Sequence, residues 1–416
     1  MILHIDGDAF FASCEIAQNE AFRGKPVVAG ADRSIALAVS YEAKKRGISR
    51  GMLIGEIKKI CPEAIITLSH YDTYRTYAQR MYSIVRRYAP MVEEYSIDEC
   101  FGDLTPLLSR RGERGEAAVQ AAKNIKRDLE RDLGMTFSIG LAPTKVLAKV
   151  ASKWNKPSGF TVLEKKDIPQ FLEKMLVGKI WGIGPSGSAN LMKHGVRIAL
   201  EFIQKPEWWI RENLSKPYEE IWHELNGRSI LRVHEDERDD QKSIMKTGTF
   251  KPITKDPKVL LAELSKNAER ACKRLRRHYL ITKHLYFYIK TQKFTYRSTE
   301  VTLPLATSNP MDIVDQIHKN FHKIYSPHYD YRATGVVFRS ITPAATFQPD
   351  LFGETQEVEN RGAIFSTIDL LSKKFGRDVV TLARTLLSNK RRDKRFGPQQ
   401  YPDFKRLGIP YWGEAH

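Results

Sequence analysis

The sequence predicts a multidomain α+β fold. Strand-length apolar runs alternate with helical periodicity over residues 1–165, and a compact, mostly helical stretch follows at 166–230. Past a charge-dense linker at 231–241, residues 242–347 read as a small α/β domain, and 348–416 form a tail of different composition. In the first region Ile2, Leu3 and Ile5 make a strand, and Gly24-Lys25-Pro26 punctuates the chain before Val27-Val28-Ala29. Residues 115–133 are helical, because Ala118, Ala122, Ile125, Leu129 and Leu133 recur on one face. Residues 137–141 form another strand, closed by Pro143.

The helical stretch contains Ile180-Trp181-Gly182-Ile183-Gly184-Pro185, which has the form of a hairpin between two helices. Glycines there let backbone amides approach a phosphate, and the next helix adds its N-terminal dipole. On spacing alone a plain helix turn fits equally well. After the linker, 257–278 is an amphipathic helix whose apolar stripe is Leu260, Leu264, Ala268, Ala271 and Leu275. Lys266, Arg270, Lys273, Arg274 and Arg277 lie off it. Strands are expected at 284–289, 295–303 and 332–341, where Tyr, Val, Phe and Thr concentrate. The tail holds one more helix, with Ile364, Ile368, Leu371 and Phe375 as its apolar side, and a basic run at 390–395.

A length of 416 residues leaves room for two to four domains. No apolar run approaches the roughly 18 residues that span a bilayer. Asp6 and Asp8 interrupt what would be the apolar core of a signal peptide. Cys14, Cys61, Cys100 and Cys272 are scattered, which speaks against a zinc site or a disulfide framework and for a reducing cytosol. The net charge is +18, and residues 242–347 carry 19 basic against 7 acidic residues, about two-thirds of the excess. Such a module suits a polyphosphate backbone, and nucleic acid is the leading partner, ahead of an anionic membrane.

Two places carry chemistry. Ile2-Leu3-His4-Ile5-Asp6-Gly7-Asp8 ends an apolar run in acid, and Tyr95-Ser96-Ile97-Asp98-Glu99 repeats the pattern. Gathered together, these acids match the needs of two-metal phosphoryl transfer, in which carboxylates bridge ions about 3.5–4 Å apart. Magnesium takes oxygen ligands in octahedral geometry. Neighbouring strand residues point to opposite faces, so Asp98 and Glu99 need a turn or bulge near Ile97 to serve one site. The competing reading is a pair of solvated loop acids.

Four motifs then narrow the choice. The segments 6–15, 40–52 and 95–99, together with 137–157, resemble in order and spacing the motifs of the Y-family, the translesion DNA polymerases, and the likeness runs from Met1 to about Phe352. The resemblance implies a right-hand architecture: a palm (about 1–10 and 72–165), fingers (11–71), a thumb (166–230) and an added little finger (242–347). It implies template-directed DNA synthesis past lesions, without proofreading, by a monomer in the bacterial cytosol. Primer-template DNA and dNTPs would be the substrates. Asp6, Asp98 and Glu99 would hold two Mg²⁺ ions, with the Gly7 carbonyl as a further ligand, and Asp8 would be structural. Phe11 matches the steric gate, an aromatic ring that excludes a ribose 2′-hydroxyl, with Phe10 beside it in the nucleotide site or in the core. Tyr41, Lys44 and Lys156 match triphosphate contacts. Lys44 stands where many relatives carry Arg, exchanging a two-pronged grip for a point charge. Gly182, Gly184 and Arg332 would contact DNA. Gln348, Leu351 and Phe352 resemble the short peptide that docks on a sliding clamp.

Two other readings compete. A catalytically inactive adaptor could keep the fold, the DNA grip and the clamp peptide, but Asp6, Asp98 and Glu99 are all present. A non-templated nucleotidyl transferase or cyclase would need no hairpin, no basic module and no clamp peptide.

Overall fold

The computed structural model describes residues 1–108, 115–235, 242–346, 354–375 and 380–388, and no side chains at 33, 251, 346, 354–363 and 373. The chain divides into two compact units, Met1–Glu237 and Arg238–His416.

The first unit begins with β1 (Ile2–Gly7), α1 (Phe10–Gln18), β2 (Val27–Ala29) and β3 (Ala38–Val39). It continues through α2 (Tyr41–Lys45), α3 (Ile54–Ile60), β4 (Ile65–Thr67) and α4 (Tyr71–Arg86). Then come β5 (Met91–Ser96), β6 (Glu99–Asp103), α5 (Glu116–Leu133), β7 (Phe137–Ala142), α6 (Lys145–Trp154) and β8 (Phe160–Val162). Five strands form one sheet in the order β5-β6-β1-β7-β8, with β1 central and antiparallel to both neighbours. Its side chains alternate as a strand requires. Leu3 and Ile5 enter a core shared with α4 and α5, whereas Ile2 joins the core on the α6 side. Helix α6 lies unusually close to β7, because Gly140 has no side chain. A Cβ there would sit 2.1 Å from the Ala148 carbonyl oxygen. A smaller sheet, β3-β2-β4, buries Val28, Val39, Ala43, Ile48 and Ile57 in a core of its own.

Five short helices follow: α7 (Ile168–Glu173), α8 (Pro185–Lys193), α9 (Ala199–Ile203), α10 (Glu207–Asn213) and α11 (Lys216–Leu225). They share a core with α6, and buried Glu224 ties them to it. Its carbonyl accepts from the Thr144 hydroxyl at 2.9 Å, and its carboxylate accepts from the amide of Val146 at 3.2 Å. The glycine-bearing segment 180–185 lies between α7 and α8. A 3-10 turn, Val177–Lys179, leads into it from α7, and α8 follows.

The second unit comprises β9 (Ser243–Thr254), α12 (Pro257–Arg277), β10 (Leu280–Thr291), β11 (Tyr296–Thr307), α13 (Pro310–Asn320), β12 (Tyr331–Pro343) and α14 (Glu354–Phe375). Its strands form an antiparallel sheet in the order β11-β10-β12-β9. The expected stripe of α12 is buried throughout. Lys266, expected off that stripe, is nevertheless covered and donates to the Ser388 hydroxyl at 3.0 Å. The apolar side expected for the tail helix is overturned. Ile364 and Phe375 are 58% and 61% exposed, whereas Phe365 is buried. Arg276 of α12 explains the rotation: it donates to both Asp369 oxygens at 2.7 and 3.0 Å and lies over the Phe365 ring. No helix among the described residues is long and apolar enough to cross a membrane.

Candidate active site

The site is built where β1 and β6 run side by side. Asp6 of β1 is paired in register with Glu99, the first residue of β6. Strand β5 ends at Ser96, and the pairing shifts between Glu93 and Ser96, so that Ser96 meets Glu99 across a two-residue turn. Asp98 therefore sits in the turn and escapes the alternation that would separate it from Glu99. The Gly7 amide donates to the Asp98 carbonyl at 2.8 Å, which fastens the turn to the end of β1. The Ser96 hydroxyl donates to the Asp98 carboxylate at 2.6 Å.

Three carboxylates at one end of a sheet repel each other. Burial raises Asp6 from 3.8 to about 6, with Glu99 and Asp98 adding to the rise and Lys156 opposing it. Cations answer this charge. Lys156 pairs with Asp6, and the Lys149 ammonium lies 2.5 Å from a Glu99 oxygen. Beneath them His4 is wholly buried; burial first, then four neighbouring lysines, hold it well below its usual range and therefore neutral. Its ring meets the Ser152 hydroxyl at 2.7 Å.

An all-oxygen donor set of one buried and two half-buried acids, whose charges repel, fits a hard divalent cation. The lysine nitrogens now stand against two of those acids. Among the described residues, the trio of possible ligands whose atoms lie within 4.8 Å of one another is elsewhere: Glu207, Glu219 and His223. Arg211 already neutralises that trio, donating to Glu207 and Glu219. Asp6, Asp98 and Glu99 do not form such a trio as they stand.

Asp8 is differently placed. It is fully buried and accepts from the Ser138 hydroxyl at 2.9 and 3.1 Å and from the Ser158 amide at 2.7 Å. Its oxygens are committed to pinning the loop after α6 against β7. Tyr41, Lys44 and Lys156 gather around Asp6 and Asp8. Burial, then Asp8 and Asp6, push the Tyr41 phenol up to about 12. Lys44 lies 3.9 Å over the Tyr41 ring, and burial followed by Lys156 lowers its affinity for a proton. Two ammonium groups close enough to repel each other make a pocket that favours an anion.

Ala9 enters α1 in the left-handed region, at φ 49°, and the turn sends the next two rings different ways. Phe10 is buried in the core, where a Cβ on Gly7 would come within 2.6 Å of its ring. Phe11 stacks on Tyr74, with centroids 4.4 Å apart and planes 10° from parallel. Elsewhere in the first unit, Gly182 has φ +91° and a Cβ there would strike Ile221 at 2.6 Å, while Gly184 caps α8. Arg332, on β12 of the second unit, lies 4.3 Å over the Phe294 ring. Gln348, Leu351 and Phe352 fall outside the described residues.

Sequence reasoning missed Lys149, Ser96 and the pair Lys145–Glu93, in which the ammonium meets both carboxylate oxygens at 2.7 and 2.8 Å. A signal was present: Lys145, Lys149 and Lys153 recur every four residues, which places them on one helix face.

Residues 5–153 match the model of the impB/mucB/samB family, and residues 241–351 match that family's C-terminal domain. "DNA polymerase IV 1" of Bacillus subtilis (strain 168) is 29% identical over 405 residues, 95% of each chain. "DNA polymerase IV" of Streptococcus pyogenes serotype M5 (strain Manfredo) is 33% identical over 332 residues, 77% of this chain and 90% of the relative. Among solved structures, a Y-family DNA polymerase chimera of Dbh and Dpo4 shares the fold, with a TM-score of 0.69 and 23% identity over 82% of this chain and 99% of that one.

Proposed function

The chain belongs to the impB/mucB/samB family, Y-family DNA polymerases of the DinB type, and on that premise we propose that Asp6, Asp98 and Glu99 are the acids of its polymerising site. The enzyme is a DNA-directed DNA polymerase of translesion synthesis. The observation that carries the site assignment is the cross-strand pair Asp6–Glu99, with Asp98 beside it in the turn and lysines on both paired acids.

The reaction joins the primer 3′-hydroxyl to the α-phosphorus of a dNTP and expels pyrophosphate. Two Mg²⁺ ions, held by Asp6, Asp98, Glu99 and the Gly7 carbonyl, would supply charge neutralisation at the attacking and leaving oxygens. The chain's own groups do the rest. Lys156, relieved of Asp6, is free to turn to the triphosphate, beside Lys44 and the Tyr41 hydroxyl. Phe11 forms the wall against the sugar. Glu99 stays oriented through Lys149, and Asp98 through Ser96.

The domain limits proposed are palm (1–10 and 72–165), fingers (11–71), thumb (166–230) and little finger (242–347). Gly182 and Gly184 of the thumb and Arg332 of the little finger would meet the DNA backbone. Gln348, Leu351 and Phe352 would dock on a sliding clamp, and the enzyme would act as a monomer, without proofreading, in the bacterial cytosol. Primer extension with dNTPs and Mg²⁺ tests the assignment. Asp98→Asn and Glu99→Gln should each abolish extension while leaving the circular dichroism spectrum unchanged; full activity in both variants would remove these acids from the site. An inactive adaptor has no observation in its favour, because it has no use for a buried Asp6 whose charge costs stability.

A further inference from the structure

Phe11 does not stand on the backbone alone. Its ring rests flat on Tyr74, and Tyr71 meets it edge-on, with centroids 5.5 Å apart. Tyr74 is itself fully buried, and its hydroxyl donates to a Glu15 oxygen at 2.5 Å. The same oxygen meets Nδ1 of His70 at 2.8 Å. Glu15 belongs to α1, one turn beyond Phe11, while His70 and Tyr74 flank the start of α4. Glu15 and His70 therefore fix the platform under the ring from two different elements. Neither lies among the acids of the metal site.

We propose that His70 and Glu15 are specificity-determining residues: their contact clamps Tyr74, and Tyr74 sets the height of the Phe11 ring above the sugar. This rests on the reading of Phe11 as the sugar gate. A stacked ring moves with its support, and the room needed to admit a 2′-hydroxyl is only that of one oxygen atom. Loosening the clamp therefore admits ribonucleotides without touching the chemistry at the acids.

The arrangement carries its own signature. The Glu15 contact raises the proton affinity of His70 above its ordinary value, against the effect of burial, and Asp32 adds to the rise. The groups facing the ring are Glu15 on α1 and Asp32 in the 31–33 turn, with Tyr71 and Tyr74 on its own helix. Below that raised value the imidazolium donates to the carboxylate at full strength. As pH rises through it the charge is lost and the clamp weakens. Discrimination against ribonucleotides should thus decline from mildly acid to mildly alkaline pH.

The test is single-nucleotide insertion with matched rNTP and dNTP, read as the ratio of kcat/KM between pH 6 and 8.5. The ratio cancels pH effects common to both substrates. His70→Ala and Tyr74→Phe should each raise ribonucleotide insertion about tenfold at pH 6, the worth of one charge-assisted hydrogen bond, with dNTP insertion little changed. His70→Arg should keep discrimination at every pH and abolish its pH dependence. Phe11→Ala is the control. If it fails to admit ribonucleotides, the gate reading itself falls; if it admits them while the His70 and Tyr74 variants discriminate like the wild type at every pH, the clamp is refuted and the gate survives.

Discussion

Replacing Asp6 by Asn should stabilise the metal-free protein while ending its activity. Burial and two neighbouring acids raise this carboxyl from 3.8 to about 6. At 1.36 kcal/mol per pH unit, the displacement favours the neutral form in the folded state by about 3 kcal/mol. The sign follows from proton linkage. Between pH 3.8 and about 6 the folded chain holds a proton that the unfolded chain has lost, so stability falls as pH rises through that window and the full deficit applies above it. Asn is nearly isosteric and carries no charge, so Asp6→Asn recovers at most about 3 kcal/mol at pH 8. For a unit of this size each kcal/mol is worth roughly 2–4 °C in melting temperature. Calorimetry in EDTA should show the variant melting several degrees above the wild type at pH 8 and level with it near pH 4. Saturating Mg²⁺ should stabilise the wild type more than the variant, since binding to the folded state adds to its stability. A variant that melts below the wild type at pH 8 in EDTA would refute the claim that burial, with its acid neighbours, disfavours a charged Asp6.

Two further outcomes follow from the structure. Lys145→Ala leaves Glu93 buried without its bidentate partner, and chemical denaturation should register a loss of about 3–5 kcal/mol, whereas Lys145→Met with Glu93→Gln should recover much of it. Affinity for primer-template DNA should fall steeply with salt, because a basic module that neutralises many phosphates releases their counterions; an affinity that is flat from 50 to 200 mM salt, roughly the range over which such binding collapses, would argue against the basic second unit as the grip.

The gap between sequence and structure can be followed at particular residues. The α12 stripe was legible because Leu260, Leu264, Ala268, Ala271 and Leu275 are a local pattern, and one face of a helix is enough to bury them. The tail helix misled for the opposite reason. Its apolar residues suggested one face, but the Arg276–Asp369 pair, two residues 93 positions apart, turned another face inward. The acids Asp6, Asp98 and Glu99 were visible as types and spacings, and the turn that takes Asp98 out of the strand alternation beside Glu99 was anticipated from the alternation of a strand. Lys149 was not, since its role depends on how closely α6 packs on β7, and Gly140 sets that distance.

Sequence alone thus determined the alternation of elements, the basic second unit and the kinds of residue at the site, because periodicity and charge are properties of neighbours along the chain. Tertiary structure alone decided which cations face which acids, which phenylalanine is core and which rests on Tyr74, and how Glu15 and His70 reach that ring. Those are distances between segments far apart in sequence, settled only when the sheets and helices pack together.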